Sequence, residues 1–183
     1  TSDNMIESQC VSPSTPYAAS KVGADALLNA YYKTHGFPVR FTRAANVYGA
    51  SQQLYRIIPK TILTILKNEQ LPLHGGGTSF RSFVHIDDVS SATYLILKSG
   101  SNGDIYHISG GQTISIRGLV SKICSLMEVD MEKLVCNVDQ RVGSDSKYFL
   151  NAEKISKDFN WKPVVNFSDG LAGQCHHKNF SHG

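Results

Sequence analysis

The 183-residue chain has no CxxC pair: its four cysteines stand at positions 10, 124, 136 and 175, and none is spaced with a histidine in a way that suits zinc. The expectation is a reduced intracellular chain with inert thiols, in a cytoplasmic setting. No apolar run approaches the ~20 residues of a membrane-spanning helix, and the mean hydropathy of -0.19 agrees, so no membrane partner is expected. Charge of one sign is scarce too. Eighteen Lys plus Arg against fifteen Asp plus Glu leave +3, without the clustered basic charge of a nucleic-acid binder. Internal repeats and low-complexity tracts are absent. Thr1 opens on polar, Ser-rich sequence with no initiator Met, charged n-region or apolar h-region, so no secretory signal is read and the start looks like a cut within a longer chain. What is present, 41% hydrophobic and 18% charged residues, suffices for a full core in one or two compact units.

Helical and strand patterns alternate along the chain. From Pro16 to about His35, Ser14 and Thr15 can cap a helix, Pro16 suits its first turn, and Ala24, Leu27, Leu28 and Tyr31 fall on one face before Gly36 closes it. Val39 and Phe41 alternate with Arg40 and Thr42 in a strand over 38–43, which runs into a loop at Asn46 and Gly49. Residues 57–67 have helical spacing, LPLH at 71–74 is short and extended, and Gly75, Gly76 and Gly77 form a turn. Phe80, Phe83, Val84 and Ile86 predict a strand, Asp87 caps a helix bearing Ala92, Leu95 and Ile96, and a strand follows at 105–109. Thr113, Ser115 and Ile116 open a further helix through Met127, and 134–138 is a strand. From Leu171 the periodicity disappears, and 171–183 reads as an irregular tail whose His176, His177 and His182 lack the framing of metal ligands. This order predicts an α/β domain with a mainly parallel sheet.

Tyr17 and Lys21 lie four apart, hence one above the other on a helix face. A phenol is a poor base at neutral pH, but a neighbouring ammonium, and a bound cationic cofactor beyond it, favour the phenolate. Such a tyrosine can take an alcohol proton while hydride leaves for a nicotinamide, and the lysine can hold ribose hydroxyls. The same spacing also arises by chance in many helices. Three consecutive glycines at 75–77 lack the strand–GxxGxxG–helix frame of a phosphate loop and read as a turn. Asp87 and Asp88 read as a cap and a first-turn carboxylate on the helix dipole rather than a catalytic pair.

The stretch STPYAASKVGADALLNAYYKTHGFPVRFTRAANVYG at 14–49 resembles the short-chain dehydrogenase superfamily, in its extended branch of nucleotide-sugar epimerases and dehydratases, where YxxxK is followed by a helix, a strand and an Asn-x-Tyr-Gly turn. The segments IIPKTIL at 57–63, LPLHGGGTSFRSFVHIDDV at 71–89, GDIYHISGG at 103–111 and RVGSDSKYFLNAEKISKDFNWKP at 141–163 continue the likeness in matching order. The resemblance is strongest to the dTDP-glucose 4,6-dehydratases of the NAD-dependent epimerase/dehydratase family.

That resemblance implies roles residue by residue. Tyr17 matches the catalytic base and Lys21 its partner on the nicotinamide ribose of NAD. Asn46, Arg81 and Arg141 match positions that hold the substrate diphosphate, for which a neutral amide and guanidinium forks are suited. Pro72 and His74 match positions that pack on the nucleobase, and Arg56 stands where a lysine often lines the same cleft. The implied substrate is a nucleotide-diphosphate sugar of the dTDP-glucose kind, and the implied assembly is a homodimer through the YxxxK helix, where Tyr31 and Tyr32 could serve a dimer or be core. The expected fold is the C-terminal part of an incomplete, Rossmann-like doubly wound parallel sheet plus a small α/β substrate-binding domain. Residues 1–50 would belong to the NAD-binding domain and 51–170 mostly to the nucleotide-sugar domain, with 80–110 partly returning to the first.

The sequence also departs from the family. No glycine-rich dinucleotide turn occurs, and the family's Thr-Asp-Glu catalytic segment lies upstream of Tyr17, with Glu7 matching a different glutamate. Where the family has RPGHDRRY, this chain has Val142, Ser144, Ser146 and Lys147, keeping Asp145 and Tyr148. The expectations are an inactive chain in isolation, an unpaired apolar edge on the 38–43 strand, and a choice among dehydratase, 4-epimerase, decarboxylase and non-catalytic remnant that these residues leave open.

Overall fold

The computed structural model describes residues 5–8, 11–139 and 147–176. Helix α1 spans Pro16–His35; Thr15 is its N-cap, accepting from Ala18 N, and Gly36 closes it. Strands β1 (Phe41–Ala44) and β2 (Asn46–Tyr48) follow almost without a break, then α2 (Ile57–Leu66) and β3 (Leu71–His74). Strand β4 (Phe80–His85) leads into α3 (Ile86–Ser99), β5 (Ile105–Ile108), β6 (Thr113–Ser115) and α4 (Ile116–Leu126). The chain ends through α5 (Met131–Leu134), β7 (Val135–Val138), β8 (Lys147–Tyr148), α6 (Glu153–Phe159) and α7 (Phe167–His176). The α/β class and the dominance of parallel pairing agree with the alternation in the sequence. Among the described residues the strands form three small sheets: β1 with β5, β3 with β7, and β4 flanked by β2, β6 and β8, of which only the β4–β6 ladder is antiparallel.

Strand alternation divides the core. Phe83 of β4 and Tyr48 of β2 face a cluster with Ile58, Ile62, Leu119, Ile123, Leu171 and Cys175, whereas Val84 faces another with Ala92, Ile96, Tyr106, Ile108 and Trp161. A third cluster joins Leu71 and Leu73 to Val120, Cys124 and Leu134. Helix α1 contributes no buried residue; Leu27, Leu28 and Tyr31 lie exposed along it. It is tied down by Asp25, which accepts from Arg43 Nη2 at 2.9 Å, and by Tyr32 against the turn at Gly103.

Four readings of the sequence need correction. Asn46 lies in strand β2 rather than in a loop, because its segment pairs with β4 in the register Asn46↔Phe83. The N-cap of α3 is His85, whose Nδ1 accepts from Asp87 N at 3.3 Å, so Ile86 opens the helix rather than ending the strand, and Asp87 is a first-turn residue. Thr113–Ser115 form a strand before Ser115 caps α4. Residues 171–176 are helical rather than irregular: Phe167, Leu171 and Cys175 repeat every fourth residue and pack on the Tyr48–Leu119 cluster. Arg141, Asp145, His177 and His182 lie outside the described residues.

Leu119 is fully buried at the centre of one cluster. Leu119→Ala is expected to cost about 3 kcal/mol of unfolding free energy in a urea titration, and a loss below about 1 kcal/mol would contradict this packing.

Candidate active site

Two neighbouring cavities gather most of the residues singled out from the sequence. The larger, of about 800 Å³, lies between the end of β2, the following loop, the start of α2 and β4, and Asn46, Arg56 and Arg81 all line it. The smaller, of about 260 Å³, is lined by Pro72 and His74 together with Lys60 and Thr78. Tyr55, Ile57 and Ile116 belong to both linings.

Each side chain arrives there for a local reason. Asn46 is held at the β2–β4 ladder, where its Nδ2 donates to Ser82 O at 3.1 Å, leaving its second N–H and its Oδ1 for other partners. Arg81 sits two residues before Phe83 on β4, and its Nη1 donates to Phe80 O at 2.7 Å. Arg56 is the residue before α2 and makes no side-chain capping bond; its guanidinium carbon stands 5.4 Å from the Tyr55 ring centroid. The first turn of α2 therefore opens on the larger cavity, which Ile57 and Ile58 line, with no acidic residue and no side-chain cap, so its positive dipole end adds to the two arginines. An amide, two guanidinium groups and a helix N-terminus form an arrangement that attracts a dianion.

In β3, Leu71 and Leu73 point into the core while Pro72 and His74 alternate outward. His74 Nδ1 lies 3.0 Å from Asp139 O; because a carbonyl only accepts, Nδ1 carries the proton there. Gly75, Gly76 and Gly77 follow as a tight 3₁₀ turn with φ of 55°, 64° and 71°, a left-handed run that glycine permits and that confirms a turn. Gly49 closes the other end of the site: at φ 150° a Cβ there would collide with Ile86.

Tyr17 and Lys21 do stand one turn apart on α1, with Lys21 Nζ 5.6 Å from the Tyr17 ring centroid, and Tyr17 is 71% exposed. Neither lines these two cavities. Asp88, by contrast, is a structural carboxylate: 1% exposed, it accepts from Val164 N at 2.9 Å and Val165 N at 3.2 Å.

Sequence reasoning passed over Tyr48 and Tyr55. Tyr48 lies within the Asn-x-Tyr-Gly segment, and its ring meets Phe83, His85 and Phe167 edge-on, bracing the wall beside Asn46. Its hydroxyl is buried without a hydrogen-bond partner among the described residues. Burial, and then the charges of Asp88 and Asp169, push its pKa up to about 12.

The fold is that of Rossmann-like nucleotide-sugar dehydratases and epimerases. The dTDP-glucose 4,6-dehydratase DesIV from Streptomyces venezuelae, solved with NAD and TYD bound, superposes with a TM-score of 0.92 at 38% identity, over 96% of this chain and 54% of that one. UDP-glucuronic acid 4-epimerase from Bacillus cereus, in complex with UDP-glucuronic acid and NAD, gives a TM-score of 0.90 at 25% identity, over 96% of this chain and 56% of that one. In sequence, the dTDP-glucose 4,6-dehydratase of Streptomyces antibioticus is 34% identical over 166 residues, covering 91% of this chain and 49% of the relative. Residues 2–173 match the family model described as GDP-mannose 4,6 dehydratase, and the chain belongs to that family. It spans between about a quarter and a half of the length of the curated relatives it matches.

Tyr48 gives a sign-definite test. The folded state keeps the phenol proton where the unfolded chain has lost it, so this contribution is complete below pH 10 and is lost as pH rises towards about 12. Tyr48→Phe is expected to flatten that alkaline decline in melting temperature. At neutral pH it should leave Tm unchanged or higher, since an unsatisfied hydroxyl is removed. A neutral-pH Tm that falls by several degrees would show that the hydroxyl is bonded after all.

Proposed function

We propose that these residues supply the nucleotide-sugar side of an NAD-dependent 4,6-dehydratase acting on a nucleotide-diphosphate sugar of the dTDP-glucose kind. The observation that carries this reading is the convergence of Asn46, Arg56 and Arg81 in one cavity beside a second that holds Pro72 and His74. The diphosphate would lie against the amide, the guanidinium groups and the first turn of α2, and the base against Pro72 and His74. The higher identity to dTDP-glucose 4,6-dehydratases than to the 4-epimerase supports dehydration over epimerisation.

Tyr17 and Lys21 fit the nicotinamide end of NAD, being exposed and one turn apart on a single helix face. No glycine-rich turn suited to its pyrophosphate occurs among the described residues. NAD, when bound, supplies the hydride acceptor for a sugar carbinol. On this chain, Tyr17 Oη would take the proton of the sugar 4-hydroxyl, and Lys21, one turn along the same helix, would hold ribose hydroxyls. Activity is assigned to a protein of the relatives' length, in which residues 1–50 and part of 80–110 belong to the cofactor domain and 51–170 mostly to the sugar-nucleotide domain. The β1–β5 pairing supports that return. A homodimer through α1 is part of the reading, supported by the exposed Leu27, Leu28 and Tyr31. A reduced, cytoplasmic setting is supported by free Cys124, Cys136 and Cys175. Among the described residues no helix is long and apolar enough to cross a membrane.

The test is to express the complete reading frame that contains these residues and incubate it with NAD and dTDP-glucose, following the alkaline absorbance of a 4-keto-6-deoxy sugar. The account expects product, and a kcat lowered about 10²- to 10⁴-fold in Tyr17→Phe with dTDP affinity retained. Full activity in Tyr17→Phe would overturn the assignment.

A further inference from the structure

Tyr55 is 68% exposed and serves no core, yet it lines both cavities. Its hydroxyl donates to Gln53 Oε1 at 2.8 Å, which fixes the ring from within the loop, and the Arg56 guanidinium carbon stands 5.4 Å from its centroid. A nucleotide whose diphosphate lies by Arg56 and Arg81 and whose base lies by Pro72 and His74 must cross the wall that the two cavities share. That wall consists of Tyr55, Ile57 and Ile116, and Tyr55 is its one aromatic member. A base has a π-face whatever its edge pattern, so an exposed aromatic ring at this point offers stacking without demanding hydrogen bonds of one base. The adjacent guanidinium adds a cation beside the same ring.

We infer that Tyr55 is a specificity-determining residue: it stacks on the nucleobase, so that the site selects a nucleoside diphosphate over a bare pyrophosphate. The inference rests on the reading of the cleft given under Proposed function. It assigns the phosphate-binding residues to affinity for the anion and Tyr55 to the preference for a nucleoside attached to it.

Calorimetric titration of the complete protein that contains these residues with dTDP, UDP and inorganic pyrophosphate tests this, using wild type, Tyr55→Phe and Tyr55→Ala. Tyr55→Ala is expected to weaken dTDP and UDP about tenfold, within the range of base–aromatic stacking, while leaving pyrophosphate unchanged. Tyr55→Phe should stay within about twofold of wild type because it keeps the ring. Wild-type affinity for dTDP in Tyr55→Ala would overturn the inference, as would an equal loss of pyrophosphate or a Tyr55→Phe variant as weak as Tyr55→Ala. Each of these outcomes leaves the cleft reading standing. If the wild type binds neither dTDP nor pyrophosphate, the cleft reading itself fails and the inference with it. Since Tyr55 is exposed, unfolding is not expected to obscure the comparison, and equal melting temperatures verify this.

Discussion

Strand β4 is the element on which both the packing and the site depend. Its six residues pair with β2, β6 and β8, so every backbone register around the larger cavity is set from it. Phe83 and Val84 point to opposite faces and feed two different hydrophobic clusters, while Ser82, 2% exposed, bonds Ser109 Oγ at 3.0 Å. The same strand carries Arg81 and, through Ser82 O, holds the Asn46 amide. Shifting that register by one residue would exchange its two faces, putting Ser82 or Val84 where Phe83 belongs and turning Arg81 away from the cavity. Position in the site and burial in the core are therefore one constraint.

The rest of the site is assembled around that strand by short local devices. Alternation in β3 turns Pro72 and His74 outward while burying Leu71 and Leu73. The start of α2, uncapped by any side chain, faces the cavity that holds the arginines. Asp88 joins α3 to the segment before α7 through two backbone N–H groups, and α7 in turn packs Phe167 against Tyr48. A charged residue in α3 thus supports a cavity wall without lining the larger cavity. Its place in the first turn of α3 also sets its charge against the helix dipole.

Much of this was legible in the sequence where local chemistry decides structure. Thr15, Pro16 and Gly36 delimit α1, and the alternation of LPLH gives β3 with the correct outward residues. The segments that resemble nucleotide-sugar dehydratases led to Asn46, Arg56, Arg81, Pro72 and His74, which the fold brings to two adjoining cavities. Helix α7 was hidden because Gly170 and Gly173 dilute its pattern, leaving three apolar positions whose partners lie far away in the chain. His85 and Asp87 are both chemically able to cap α3, and only the backbone path chooses between them. Tyr55 had no periodic or motif signal at all, since its interest comes from two cavities meeting at one ring. Tyr17 and Lys21 show the opposite case: their spacing is plain in sequence, yet the described residues place them outside both cavities.

The central claim is that these two cavities together hold one nucleoside diphosphate. The most direct measurement is a titration of the isotope-labelled complete protein that contains these residues with dTDP, followed by NMR. The account predicts that shifts cluster at the Asn46 side-chain amide, the Arg56 and Arg81 guanidinium groups, and the β3 residues around His74. Shifts confined to the separate cavity lined by Ser82, Ser109 and Trp161, or no shifts at saturating dTDP, would contradict it.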